Sequence, residues 1–318
     1  MEQSTTKTIY SLLLMSAILW GGQPTVLKGL IQEMPPILIP VYRYIIISSI
    51  LFGMLFAMNR KITIPTKRQG YILAAMALSG ITLNNIFQFT GLQYSTAINC
   101  SLVSSTTPAL TSVLAAVFLK ERMSGIQWLG IMISFGGVFF LVTRGSVEIL
   151  MTLSFNDGDI LFFASQIGWA IYTILSLKIM FELSPMATTA WSGLAGAFMT
   201  GIYALWCGID MTPPISPGGA AALLYMSIGG GVLAMTWWNK GVKVVGPSKA
   251  SLFFNVVPIA GMIFGVLFVG ESLGWSEILA ALMILTGIYL STQGYKRFQE
   301  TRESDATKTS AVVEPKRI

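Results

Sequence analysis

Displaced along itself by 150 positions, this chain of 318 residues meets its own pattern: the stretch 91–142 lies on 241–292 without a gap. Gly91 falls on Gly241, Ser101-Leu102 on Ser251-Leu252, Pro108 on Pro258, Phe118 on Phe268, Glu121 on Glu271 and Gly137 on Gly287. These matches sit on structural punctuation: a proline within an apolar segment, a glutamate just past a segment's end, a glycine in the next segment. A chain written twice folds as two copies of one unit, and in apolar chains such repetition marks transporters.

The copies are too apolar for water. Hydrophobic residues make up 53% and charged residues 11%, against roughly 25% charged in a soluble domain. Apolar runs lie near 8–29, 37–57, 70–91, 97–119, 126–143, 158–180, 186–208, 219–238, 249–269 and 275–294. Each is long enough to cross a hydrocarbon core of about 30 Å at about 1.5 Å per residue. The fold expected is all-α: a polytopic membrane protein of ten transmembrane helices in two inverted five-helix repeats, 1–147 and 148–295. The polar, charged segment 296–318 has the composition of a disordered tail. The first run follows Lys7 as a signal peptide would, but it is longer than a usual signal core and no small-residue cleavage site follows. Removing it would also leave the first repeat one helix short.

Orientation follows from lysine and arginine. With the N-terminus cytoplasmic, 17 of the 20 basic residues fall on the cytoplasmic side, and Lys28, Arg43 and Arg144 are the exceptions. The expected protein is multi-pass in the cell (inner) membrane with both termini cytoplasmic. Five helices per repeat then bring the second copy in from the opposite side. The net charge of +6 belongs to this bias and to anionic headgroups of the lipid bilayer, not to nucleic acid.

The chain resembles the drug/metabolite transporter superfamily, in its ten-helix EamA-type branch. The resemblance is carried by Leu19-Trp20-Gly21, Arg43, the run Gly91-Leu92-Gln93-Tyr94-Ser95-Thr96-Ala97, Pro108 and Leu119-Lys120-Glu121-Arg122. In the second half it is carried by Gly246-Pro247-Ser248-Lys249-Ala250, Pro258, Gly270-Glu271-Ser272 and Gly287. It implies a carrier of small organic solutes, in bacteria frequently an exporter of amino acids or related metabolites.

The residues themselves narrow the chemistry. There is no histidine, so no histidine proton relay, and every carboxylate falls at or beyond a span's end. Arg43 is the one cation well inside a span; it holds a carboxylate of solute or gate, or it snorkels outward or pairs with Glu33 or a helix-end carbonyl. Amides and hydroxyls within the spans (Gln23, Asn84, Asn85, Gln88, Asn99, Ser101 to Thr107, Gln166, Asn255) are accompanied by Trp20, Trp169, Tyr172, Trp237 and Trp238. Each alone is as well explained by interhelical hydrogen bonding; as a set they suit a cavity for a solute with a polar head and an apolar part. The expected small-molecule site comprises Gln23, Asn85, Gln166, Trp169, Tyr172 and Asn255, with Trp20, Trp238 and Arg43 beside them. Pro108 and Pro258 each remove a backbone donor and bend α-helix, at matching places that suit hinges or fixed kinks.

Two solitary cysteines, Cys100 and Cys207, offer neither a CxxC nor a metal-ligand spacing. No phosphate-binding loop or nucleotide-binding domain is present, and neither a metal nor a cofactor is called for. An enzyme would need clustered acids or a nucleophile–base pair within the membrane, and none is read. A secondary carrier is the reading, with a channel, receptor or scaffold as the alternative.

Overall fold

The computed structural model describes residues 2–58, 64–104, 106–118, 124–143, 145–146, 156–246, 250, 252–287 and 289–290. Among them every regular element is helical, and there is no strand. We number ten helices in chain order: α1 Lys7–Leu30, α2 Leu38–Ala57, α3 Lys67–Tyr94, α4 Ala97–Phe118 and α5 Gly125–Thr143. The second set is α6 Asp157–Ile179, α7 Pro185–Trp206, α8 Pro217–Val245, α9 Val256–Val269 and α10 Trp275–Gly287. Six are long and apolar enough to cross a bilayer, three are shorter apolar helices, and α7 is a further 22-residue helix. The chain is thus an all-α polytopic membrane protein. The boundary expected at 147/148, the tail 296–318, Glu121 and Pro247 to Lys249 lie outside the described residues.

The helix starts are written locally. In hydrocarbon each backbone donor must be met within the protein, and the first turn of a helix leaves four donors free. Thr66 and Gln69 form a reciprocal capping box at the start of α3, and Ser124 and Gln127 do the same for α5. Asn156, Ser184 and Ser216 cap α6, α7 and α8, the last two followed by proline at the first helical position. At the start of α4, Thr96 Oγ1 accepts the Asn99 N–H at 3.0 Å, and the first two donors look further afield. Its Ala97 and Ile98 N–H groups donate to the Glu271 carboxylate, at 2.9 and 3.0 Å, from beyond the end of α9. Gly270, in the left-handed region at φ 71°, turns the chain there.

The packing respects the 150-residue offset. α3 packs on α6 and α8 packs on α1; α4 packs on α6 and α9 on α1; α3 packs on α7 and α8 on α2; α2 meets α7, and α4 meets α9. Each of these contacts is matched by the contact of the helices' counterparts. Both α3 and α8 pass through a π-helical stretch, Ala77–Leu83 and Met226–Leu233, at equivalent places. Glycines make the close crossings. Side chains at Gly80 and Gly91 would strike Tyr172 and Phe162 of α6, and side chains at Gly230 and Gly241 would strike Gln23 and Leu13 of α1. α5 and α10 cross at Gly137 and Gly287, where a Cβ on Gly137 would come within 2.8 Å of Ile284 Cγ1.

Candidate functional site

Between the two sets of helices lies a cavity of about 80 Å³. Its walls are α1 (Trp20, Gln23, Pro24, Leu27), α3 (Asn84, Asn85, Gln88, Phe89), α4 (Ser104), α6 (Gln166, Trp169), α8 (Met235) and the Phe254–Val257 stretch leading into α9. α2 adds Arg43 and Tyr44, while among the described residues α5, α7 and α10 contribute none to the lining.

One wall is aromatic. Trp20 stands 5.5 Å from both Trp169 and Trp238 and 5.4 Å from Phe254, centroid to centroid. Phe254 in turn lies edge-on to Trp238 at 4.8 Å. The Trp20 indole N–H donates to the Gly230 carbonyl at 2.9 Å, and a side chain on Gly230 would strike Gln23. The indole N–H groups of Trp169 and Trp238 are buried and meet no acceptor.

The facing wall is polar. Arg43 is buried, 5% exposed. Its Nε–H donates to the Met226 carbonyl at 3.2 Å, within the π-helical stretch of α8, and its Nη1 donates to Asn85 Oδ1 at 3.1 Å. Asn85 donates to Ile81 O at 2.7 Å within α3, Asn84 donates to the Ser165 carbonyl at 2.8 Å, and Thr107 Oγ1 donates to Gln166 Oε1 at 2.8 Å. The Met226 carbonyl stands at the start of the π-helical stretch of α8, a local irregularity frequent at functional sites.

Of the nine expected site residues, Trp20, Gln23, Arg43, Asn85, Gln166 and Trp169 share this cavity. Tyr172 does not line it: its ring stacks behind Trp169 at 5.0 Å and its hydroxyl accepts from Asn239 Nδ2 at 3.2 Å. Trp238 supports the aromatic wall from behind. Asn255 ends a short 3-10 turn, Leu252–Asn255, and its side chain lies outside the described residues. Pro108 and Pro258 each follow an irregular turn: α4 is interrupted between Ser104 and Thr107, and the 3-10 turn precedes Val256. In both, the proline ring excludes a regular turn ahead of it. Arg43 does not pair with Glu33, whose carboxylate accepts from Ser216 N and Oγ, both at 2.8 Å, at the start of α8.

Phe254, Met235 and Tyr44 were not legible as site residues. The offset carried a signal for two of them: Phe254 is the counterpart of Ser104, and Met235 that of Asn85, and all four line the cavity.

Ten apolar helices packed in matched sets around an internal polar and aromatic cavity define a membrane transport protein. The chain belongs to the EamA-like transporter family, whose profile matches residues 7–143 and again 156–293. It is 30% identical to the uncharacterized transporter YyaM of Bacillus subtilis over 94% of this chain and 98% of that protein. An uncharacterized transporter of Archaeoglobus fulgidus is 27% identical over 88% of this chain and 96% of its own length. The uncharacterized inner membrane transporter YedA of Escherichia coli is 26% identical over 87% and 88% of the two chains. One crystal structure matches with a TM-score of 0.66 and 17% identity over 90% of this chain and 97% of that one, a likeness of fold alone.

Proposed function

We propose that this protein is a secondary transporter that moves a small amphipathic organic solute, an amino acid or a related metabolite, across the inner membrane by alternating access. The cavity carries the reading. It combines five amides and a guanidinium with a wall of indole and phenyl rings, and it lies between helices whose contacts are exchanged by the 150-residue offset. Solute binds between Gln23, Asn85, Gln166 and Trp169, its polar head on the amides and Arg43 and its apolar part on Trp20 and Trp169. Trp238, Tyr172 and Asn255 support or complete that wall.

The two halves, 1–147 and 148–295, form repeats of opposite orientation. The antiparallel contact of counterparts α4 and α9 supports this, since Glu271 beyond the end of α9 caps the start of α4. Such a pair of repeats has two equivalent ways to open, one to each side. The irregular turns before Pro108 and Pro258 are the hinges on which α3–α4 and α8–α9 rock. The distribution of basic residues supports cytoplasmic termini, and export is the direction shared with carriers of the branch that the chain resembles.

Reconstitution into liposomes with a panel of amino acids and related metabolites tests the reading. Saturable flux accelerated by solute on the opposite face is expected. Flux that rises linearly with concentration, without such acceleration, would make the protein a channel.

A further inference from the structure

The cavity's hydrogen-bonding balance is one-sided. Arg43 carries five N–H donors, and two are used, on Met226 O and Asn85 Oδ1. Neither acceptor is charged. Among the described residues the ion pairs are Lys28–Glu271 and Arg68–Glu182, so no carboxylate neutralises Arg43. Among the described residues the lining contains no aspartate or glutamate. Of the buried side-chain polar atoms left without a partner, the one that lines the cavity is again a donor, Trp169 Nε1, and behind it Trp238 Nε1 is a second. A buried cation with no counter-ion is costly, and three free guanidinium donors suffice for a two-pronged bond to a carboxylate.

We infer that the solute is an organic monoanion: one carboxylate on an apolar, flat body, with the carboxylate held by Arg43 and the body against Trp20, Trp169 and Phe254. The inference rests on the reading of this cavity as the solute site. A single guanidinium matches a single negative charge, which disfavours dianions. With no acid in the lining, an ammonium group has no charged partner and meets repulsion from Arg43. The carboxylate is therefore obligatory and the amine is not. The aromatic wall excludes small inorganic anions as best ligands, since they leave its rings without contact.

Calorimetric titration of the full chain in lipid nanodiscs tests this with four molecules of one shape: 3-phenylpropionate, phenylalanine, 2-phenylethylamine and 3-phenylpropanol. The acid should bind roughly 100-fold or more tightly than the alcohol and the amine, the scale set by leaving a buried charge unpaired, with phenylalanine between. In Arg43→Gln the acid's advantage should fall to about threefold or less, while Arg43→Lys should keep part of it. Should Arg43→Gln not fold, the four-ligand comparison on the unaltered chain decides. Binding of alcohol or amine within about tenfold of the acid, an advantage that survives Arg43→Gln, or no binding of the acid at millimolar concentration each overturns the inference. Saturable flux of any other solute in liposomes would then leave the transporter reading standing; linear flux without acceleration would bring that reading down independently.

Discussion

Lys28 Nζ lies 2.8 Å from Glu271 Oε1, and the same carboxylate accepts the Ala97 and Ile98 N–H groups at the start of α4. One side chain therefore joins the ends of α1 and α9 to the beginning of α4. Glu271 is almost buried, at 8% side-chain exposure, and Lys28 is not, at 31%. The two partners are therefore unequal. Glu271→Ala removes a helix cap and leaves two backbone donors orphaned, at a cost of about 2–4 kcal/mol. Lys28→Ala loses a half-exposed ion pair, about 0.5–1 kcal/mol. Thermal unfolding in detergent should rank them so, and equal losses would show that the cap contributes little.

The crossing of α5 and α10 depends on Gly287. A Cβ there would meet the Gly130 carbonyl and the Ser134 backbone, neither of which can rotate away. Gly287→Ala should destabilise by about 1–3 kcal/mol through overpacking. Gly29→Ala, in the helical stretch of α1 with open space where a Cβ would stand, should be neutral or stabilise by up to about 1 kcal/mol. Unfolding midpoints of the two variants check the contrast.

Tyr172 and Trp169 should separate stability from binding. Tyr172→Phe removes the acceptor of the Asn239 bond and should cost about 0.5–1.5 kcal/mol while leaving solute affinity unchanged, because the hydroxyl faces Asn239 rather than the cavity. Trp169→Ala should weaken binding by roughly tenfold or more and leave protein in the membrane. Paired unfolding and binding measurements would refute the division if Tyr172→Phe lost affinity in step with Trp169→Ala.

Glu182, in the connection after α6, accepts from Gln69 Nε2 at 2.8 Å and from Arg68 Nη1 at 2.7 Å. These bonds hold its carboxyl below its ordinary value of 4.5, the Gln69 bond first and the Arg68 bond second. Because the folded-state value is depressed, the stabilisation is complete above the ordinary value and is lost as pH falls through it toward the depressed one. The tie between the start of α3 and the α6–α7 connection should loosen only in acid. Amide protection at residues 66–70, taken relative to the intrinsic exchange rate at each pH, should fall below about pH 4.5 and lose that acid step in Glu182→Gln.

Cys207 is exposed just past the end of α7, whereas Cys100 is buried within α4. With the N-terminus cytoplasmic, α7 ends outside. An impermeant maleimide added to intact cells should label Cys207 and spare Cys100. Labelling of Cys207 only after the membrane is opened would reverse the orientation proposed for the whole chain.

The helices were legible in the sequence because they are a local matter. A bilayer forces each span to satisfy its own backbone, so ten apolar runs of sufficient length read directly as ten helices; the caps Thr66, Asn156, Ser184 and Ser216, equally local, were found only in the structure. The 150-residue offset was legible too, down to the glycines at which counterpart helices cross. The facing of individual side chains was not. A span that is apolar all round has no strong periodicity to tell its lipid side from its protein side. Only packing decided that Arg43, Asn85, Gln166 and Trp169 converge on one cavity, that Tyr172 and Trp238 stand behind its wall, and that Phe254 and Met235 complete it. The same holds for Glu271, which lies 174 residues from the Ala97 N–H it accepts. No local pattern could have announced that pairing, since it exists only once α9 and α4 lie side by side.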